Sequence, residues 1–233
     1  MLKTRQLGRT CKAAIVGVSL SIALSGCAPA TEQIRCSGDW WGTSSQCYLA
    51  GTSNRQAPRN LLVEAAEAGS VDRVVMHLGE GMSVNTTDEY GNTPLIGAAR
   101  RGHVEVARLL LSLKAKVDKK NDDGSVALME AIRYDQRDMA ELLLENGANP
   151  NVRDKKRNTP LIMTAYRHAA ALNDYKNGKD TGGSYVSMFY HLELAKWLIA
   201  LGVDKNAENK DGVTAMRIAT DNYDTEMANI LRR

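Results

Sequence analysis

A period of 33 residues constrains this chain more than any other feature of its sequence. Gly91, Leu95, Ala98, Leu110 and Ala115 return at Gly124, Leu128, Ala131, Leu143 and Ala148. A second step carries Thr93-Pro94-Leu95 onto Thr159-Pro160-Leu161. A fixed period of this length means stacked copies of one supersecondary unit, each too small to bury its apolar face alone. In the cleanest copy, Thr93-Pro94 predicts a helix start, with Pro at a first-turn position where its missing N–H does no harm. Ala98 and Ala99 are small enough for a neighbouring helix to approach. Gly102 predicts a turn, and Val104 to Leu113 a second helix.

The other copies depart from this one in readable ways. The first begins at Asn60, with Leu61, Leu62, Ala65 and Ala66 on one helix and Val71, Val74, Val75 and Leu78 on another. It lacks the Gly-x-Thr start, as a terminal capping unit would. The third has Val126-Ala127 where the second has Thr-Pro. The fourth starts at Thr159-Pro160, but His191-Leu192-Glu193 matches His103-Val104-Glu105 only after an insertion over residues 169–190. Ala169 to Leu172 could extend the preceding helix, residues 176–183 have loop composition, and Tyr185, Met188, Phe189 and Tyr190 form an apolar group. The fifth runs from Gly212 to Arg233. In-register recurrence of these positions resembles ankyrin repeats. That resemblance implies an all-α solenoid of about five repeats over residues 59–233, with short β-turn hairpins between helix pairs. The His that usually follows Thr-Pro-Leu in that family is replaced by Ile96, Met129 and Ile162.

The chain opens differently. Lys3, Arg5, Arg9 and Lys12 precede a short apolar run, Ala13 to Leu24, too short to span a bilayer comfortably. The run ends Leu24-Ser25-Gly26-Cys27, which resembles the lipobox of bacterial lipoproteins; an ordinary signal peptide containing a cysteine is the alternative. The resemblance implies a signal peptide over residues 1–26, a lipid on Cys27 and, with Ala28 rather than Asp next, an outer-membrane protein facing the periplasm. Without residues 1–26, Lys+Arg falls from 30 to 26 against 27 Asp+Glu, so no overall attraction to nucleic acid is expected. Residues 27–58 read as a tether. Its Cys36 and Cys47 read as a disulfide in an oxidising compartment, with a metal site as the weaker alternative because no His lies nearby. Trp40 and Trp41 would sit in the enclosed loop, packing there or on the first repeat, or meeting a partner.

No catalytic constellation, phosphate loop or metal-spaced His pair is readable, so the chain is expected to be neither an enzyme nor a cofactor carrier. What remains is surface. In ankyrin proteins the hairpin tips and exposed positions of the first helices form a concave binding face. The corresponding positions here are Glu89, Tyr90, Arg100 and Arg101 in the second unit and Arg133 and Tyr134 in the third. The fourth supplies Lys155, Lys156, Tyr166 and Arg167, with Tyr185 and Phe189 from the insertion. Asn92, Ser125 and Asn158 map to the same set. Tyr and Arg are enriched where binding energy concentrates. A mixed-charge solvated surface is the plain alternative.

A protein partner is therefore expected. The specific expectation is an immunity or inhibitor protein that blocks a toxic effector, such as a type VI secreted phospholipase. A non-inhibitory scaffold for an envelope complex is the other reading.

Overall fold

The computed structural model describes residues 33–37, 46–50, 60–179 and 184–232. Cys27, residues 1–26 and the side chain of Tyr185 lie outside that description. Two strands, β1 (Gln33–Ser37) and β2 (Gln46–Ala50), pair antiparallel within the expected tether. The composition of that segment gave no sign of them. Their register sets Cys36 opposite Cys47.

The remainder is helical. Each unit contributes a first and a second helix. They are α1 (Leu61–Glu67) and α2 (Val71–Gly79), then α3 (Pro94–Arg101) and α4 (Val104–Ser112). Next come α5 (Ala127–Arg133) and α6 (Arg137–Glu145), α7 (Pro160–Lys176) and α8 (Ser184–Ala200), and finally α9 (Ala215–Asp221) and α10 (Thr225–Arg232). The first helices stack in one layer, α1 on α3, α3 on α5, α5 on α7 and α7 on α9. The second layer packs α2 on α4, α4 on α6 and α8 on α10.

The periodic residues are what the stack buries. Leu62, Leu95, Leu128 and Leu161 occupy one position of successive units and are no more than 1% exposed. Full burial of one such side chain is worth about 1.5–3 kcal/mol. Helix starts follow the sequence. Thr93 Oγ1 accepts from Ile96 N at 3.1 Å, Thr159 Oγ1 from Ile162 N at 3.3 Å and Thr214 Oγ1 from Arg217 N at 3.1 Å. Asn60 Oδ1 does the same for Leu62 N at 3.1 Å. Each cap contributes about 1 kcal/mol. Val126 offers no such group, and α5 starts without a side-chain cap.

The insertion does more than add a loop. Both helices of its unit grow to 17 residues. The turn that ends α1 and α3 at Gly69 and Gly102 would fall at His168, where α7 instead continues. The basic tip at residues 155–157 precedes α7 and the inserted turn follows it, so they lie at opposite ends of that helix, about 24 Å apart at 1.5 Å per residue.

Candidate protein-binding face

Each hairpin tip is built around one Asx side chain that the periodicity did not single out. Asp88 Oδ1 accepts from Tyr90 N at 2.9 Å and Asn92 N at 2.7 Å. Asn121 Oδ1 accepts from Asp123 N at 3.0 Å and Ser125 N at 2.8 Å, and Asn209 Oδ1 from Asp211 N at 2.9 Å and Val213 N at 3.0 Å. Asp154 Oδ1 closes its tip through Asn158 N at 2.8 Å. Neighbouring tips are stitched by single backbone bonds: Asp122 N to Tyr90 O at 3.0 Å, Lys155 N to Asp123 O at 2.9 Å and Lys210 N to Lys156 O at 2.9 Å. The tips are thus held as a row rather than as independent loops. The left-handed residue in each is Gly91, Gly124 or Gly212, but Arg157 (φ 60°) stands there in the fourth unit.

Two cavities open between these tips and the first helices. The larger, about 420 Å³, lies between the third and fourth units and is lined by Arg133, Lys155, Lys156, Tyr166 and Arg167, with Asp123 and Asp154 among the others. With Asn158, six of the residues read from sequence therefore line one cavity. The smaller, about 220 Å³, lies at the first and second units and holds Glu64, Glu67, Asp88, Glu89 and Tyr90. Tyr90 is 64% exposed and Tyr166 45%. Arg101 and Tyr134 are exposed but lie outside both cavities.

Three groups of sequence candidates sit elsewhere. Asn92 and Ser125 are buried, Asn92 in accepting from Asn121 Nδ2 at 2.9 Å and Ser125 in donating to Glu130 Oε1 at 2.7 Å. Arg100 is turned inward: its guanidinium reaches Glu67 Oε1 at 3.2 Å, Glu130 Oε2 at 3.3 Å and Asn92 Oδ1 at 3.3 Å. It clamps three successive units and is not an open binding group. Phe189 lines a different cavity of about 310 Å³, formed by the extended α7, the start of α8 and the α9–α10 turn, together with Leu172, Tyr175 and Tyr223.

Three of the four histidines serve the stack, while His77 pairs with Glu80 in its own unit. His103, at the start of α4, and His191, within α8, occupy one repeat position and reach back to the unit before. His103 Nε2 meets Glu67 O at 2.9 Å, and His191 Nε2 meets Asp135 Oδ1 at 2.8 Å. Asp224, at the same repeat position, meets His168 Nε2 at 3.1 Å and accepts from Met227 N at 3.0 Å. Asp135 itself occupies the turn position of Gly69 and Gly102 with φ 57°, and Arg167 also pairs with it. Burial would raise the Asp135 carboxyl, but hydrogen bonds from His191 and Arg167 and their charges hold it at about 2. Burial lowers the His191 imidazole against the pull of Asp135. Burial also pushes the Tyr190 hydroxyl up, with the Arg137 guanidinium 5.6 Å from its ring.

Among the described residues, no group of three or more His, Cys, Asp or Glu is arranged to hold a metal, and no helix is long and apolar enough to cross a membrane. Residues 62–154 match the family model for ankyrin repeats, in three copies.

Those residues are an ankyrin-repeat block within an all-α solenoid.

The same helix-pair architecture continues through the enlarged fourth ankyrin unit and the fifth, to residue 232. The chain is 36% identical over 101 residues to cortactin-binding protein 2 of Mus musculus, which covers 43% of this chain and 5% of that protein. It is 35% identical over 101 residues to the protein of the same name from Dasypus novemcinctus, with 43% and 5% coverage. For Plecturocebus moloch the figures are 34% over 101 residues, 42% and 6%. The chain thus spans only 5–6% of these relatives' length, and the likeness is that of a repeat block. Ankyrin repeats are protein-interaction modules, and the tips and first-helix ends of this one bring exposed Lys155, Lys156 and Tyr166 to one cavity.

Proposed function

We propose that this chain is a lipid-anchored protein of the bacterial envelope whose ankyrin face captures and blocks a protein partner. On this reading it is an immunity or inhibitor protein, acting on an effector such as a type VI secreted phospholipase. The observation that carries the reading is the cavity where Arg133, Lys155, Lys156, Tyr166 and Arg167 converge. Its Arg and Tyr side chains are of the types that dominate binding energy, and its backbone is fixed by the stitched tips. The anchor is supported by Leu24-Ser25-Gly26-Cys27 following a basic and then apolar segment. Lipid on Cys27 would hold the inhibitor at the surface a phospholipase attacks. In the same compartment Cys36 and Cys47 would be joined. Antiparallel Cα partners lie about 4.5–5.5 Å apart, within disulfide reach.

The test is survival. Cells exporting an envelope-attacking phospholipase effector should live only when this protein is co-produced. A chain carrying Lys156→Glu and Tyr166→Ala should accumulate normally and fail to protect. Equal survival with and without the protein would reject the inhibitory reading. Scaffolding is the second reading, favoured by the separate cavity at Phe189, Tyr175 and Tyr223, which could hold a further component.

A further inference from the structure

The two cavities of the concave face carry opposite charge. Glu64, Glu67, Asp88 and Glu89 ring the one at α1 and the second tip, whereas Arg133, Lys155, Lys156 and Arg167 outnumber Asp123 and Asp154 in the one at α5 and α7. Glu64 and Glu89 at one end, and Lys155 and Lys156 at the other, are exposed and make no ion pair among the described residues. Between the cavities the charge cancels. Arg100 is met by Glu67 and Glu130, and exposed Arg101 is balanced by exposed Asp122.

We infer that this groove recognises an extended protein segment with basic residues at one end and acidic residues at the other, separated by about six residues. The inference rests on the concave-face reading above and adds the chemistry of what it binds. The spacing follows from the stack. Packed helices sit 8–10 Å apart, so the two cavities, two helix steps from each other, are about 20 Å apart. Extended chain advances about 3.3 Å per residue, and six residues bridge them. At physiological salt the screening length is about 8 Å. Each end of the groove therefore reads only the charges placed on it, and a segment whose charges alternate meets repulsion at both ends. Opposed charge at two separated points also fixes which way the segment lies.

The experiment uses the full chain and three fluorescent peptides of about fourteen residues. One has a Lys block and a Glu block separated by six neutral residues. The second has the same composition with Lys and Glu alternating. The third has Lys blocks at both ends. Fluorescence anisotropy at about 0.1 M salt should show the segregated peptide binding about tenfold tighter than the alternating one, the sum of a few exposed pairs. Lys155→Glu with Lys156→Glu should move the preference to the two-Lys-block peptide. These side chains are exposed, and an unchanged melting temperature verifies the fold. Equal affinity for segregated and alternating peptides, absence of binding by all three, or a preference unmoved by the charge reversal overturns the inference. Capture of a protein partner through Tyr166 alongside any of those results would leave the concave-face reading standing and remove only its charge order.

Discussion

Arg100 Nη1 lies 3.2 Å from Glu67 Oε1, its counterpart one ankyrin unit earlier, while Arg100 Nε reaches 3.3 Å to Glu130 in the next unit. One guanidinium thus ties three units together on the face that also forms the binding groove. Glu130 is the buried member, with a side chain 5% exposed, and it shares Arg133 and Ser125 as further partners. Its helix, α5, is also the first-layer helix that starts without a side-chain cap, whereas α1, α3, α7 and α9 have one.

Replacing Arg100 with Leu strips a buried carboxylate of the nearer of its two arginines. Breaking such a pair costs more than the pair contributes in place. Arg100→Leu should lower stability by about 2 kcal/mol in urea unfolding, and Arg100→Leu combined with Glu130→Leu should recover most of that. If the double variant is less stable than Arg100→Leu alone, the clamp is not what Glu130 depends on.

Four non-glycine residues, Lys114, Asp135, Arg157 and Tyr223, stand in left-handed positions that other units give to Gly, and two of them should respond oppositely to the same change. Arg157 (φ 60°) makes no side-chain ion pair among the described residues. Arg157→Gly should therefore stabilise by about 0.5–1 kcal/mol, steric relief outweighing the added chain entropy. Asp135 (φ 57°) bonds His191 and Arg167, so Asp135→Gly should destabilise. Urea midpoints of the two variants decide it, and a shift of the same sign in both would contradict the role given to the Asp135 side chain.

The buried pairs make stability depend on acid. His191 is packed with Asp135, Arg167, His168 and Tyr190, and its imidazole is held below the ordinary 6.5. Below pH 6.5 the unfolded chain takes up that proton before the folded one does. Stability should thus fall as pH drops from 6.5 toward the lower folded value. Asp135, at about 2 in the fold against an ordinary 3.8, adds a further loss between pH 3.8 and about 2, and Asp224 acts in the same direction. His191→Gln should flatten the slope between pH 7 and 5. Melting curves across that range are the check, and an unchanged slope would assign the acid sensitivity to other groups.

The hairpin register predicts a covalent link. Protein recovered from the envelope should yield residues 36 and 47 in one disulfide-linked proteolytic fragment that separates on reduction. Independent recovery of both as free thiols would argue against an oxidised tether.

The fold was legible because stacking demands the same residue at the same place in every copy. Leu95, Leu128 and Leu161, and the Thr caps, announce themselves by recurrence. Of the candidate face, the exposed positions were legible: Lys155, Lys156 and Tyr166, read as tip and helix-end residues, line one cavity. It was not legible where long-range pairing decides. Arg100 looks like any surface arginine until Glu67 and Glu130, distant in sequence, are brought against it. One signal was available, since Glu67, Arg100 and Arg133 occupy a single repeat position with a change of sign between the first two. The two long helices of the fourth unit were hidden for another reason. α7 runs on through His168, the position at which α3 stops with Gly102 and α5 with Asp135, and loop-like residues 176–183 concealed how much helix lay on either side. Residues 33–37 do alternate, Ile34 and Cys36 standing between Gln33, Arg35 and Ser37, and that short strand signal was readable; residues 46–50 do not alternate.

The central claim is that the face carrying Tyr166 binds a protein partner and the outer face does not. Site-specific photo-crosslinking in cells tests it directly, with a benzophenone amino acid placed at Tyr166 or at Arg108, which is exposed on α4 in the second-helix layer. The account predicts a discrete protein adduct from position 166 that disappears when Lys155 and Lys156 are reversed to Glu, and none from position 108. No adduct at 166, or the same adduct from both positions, would contradict it.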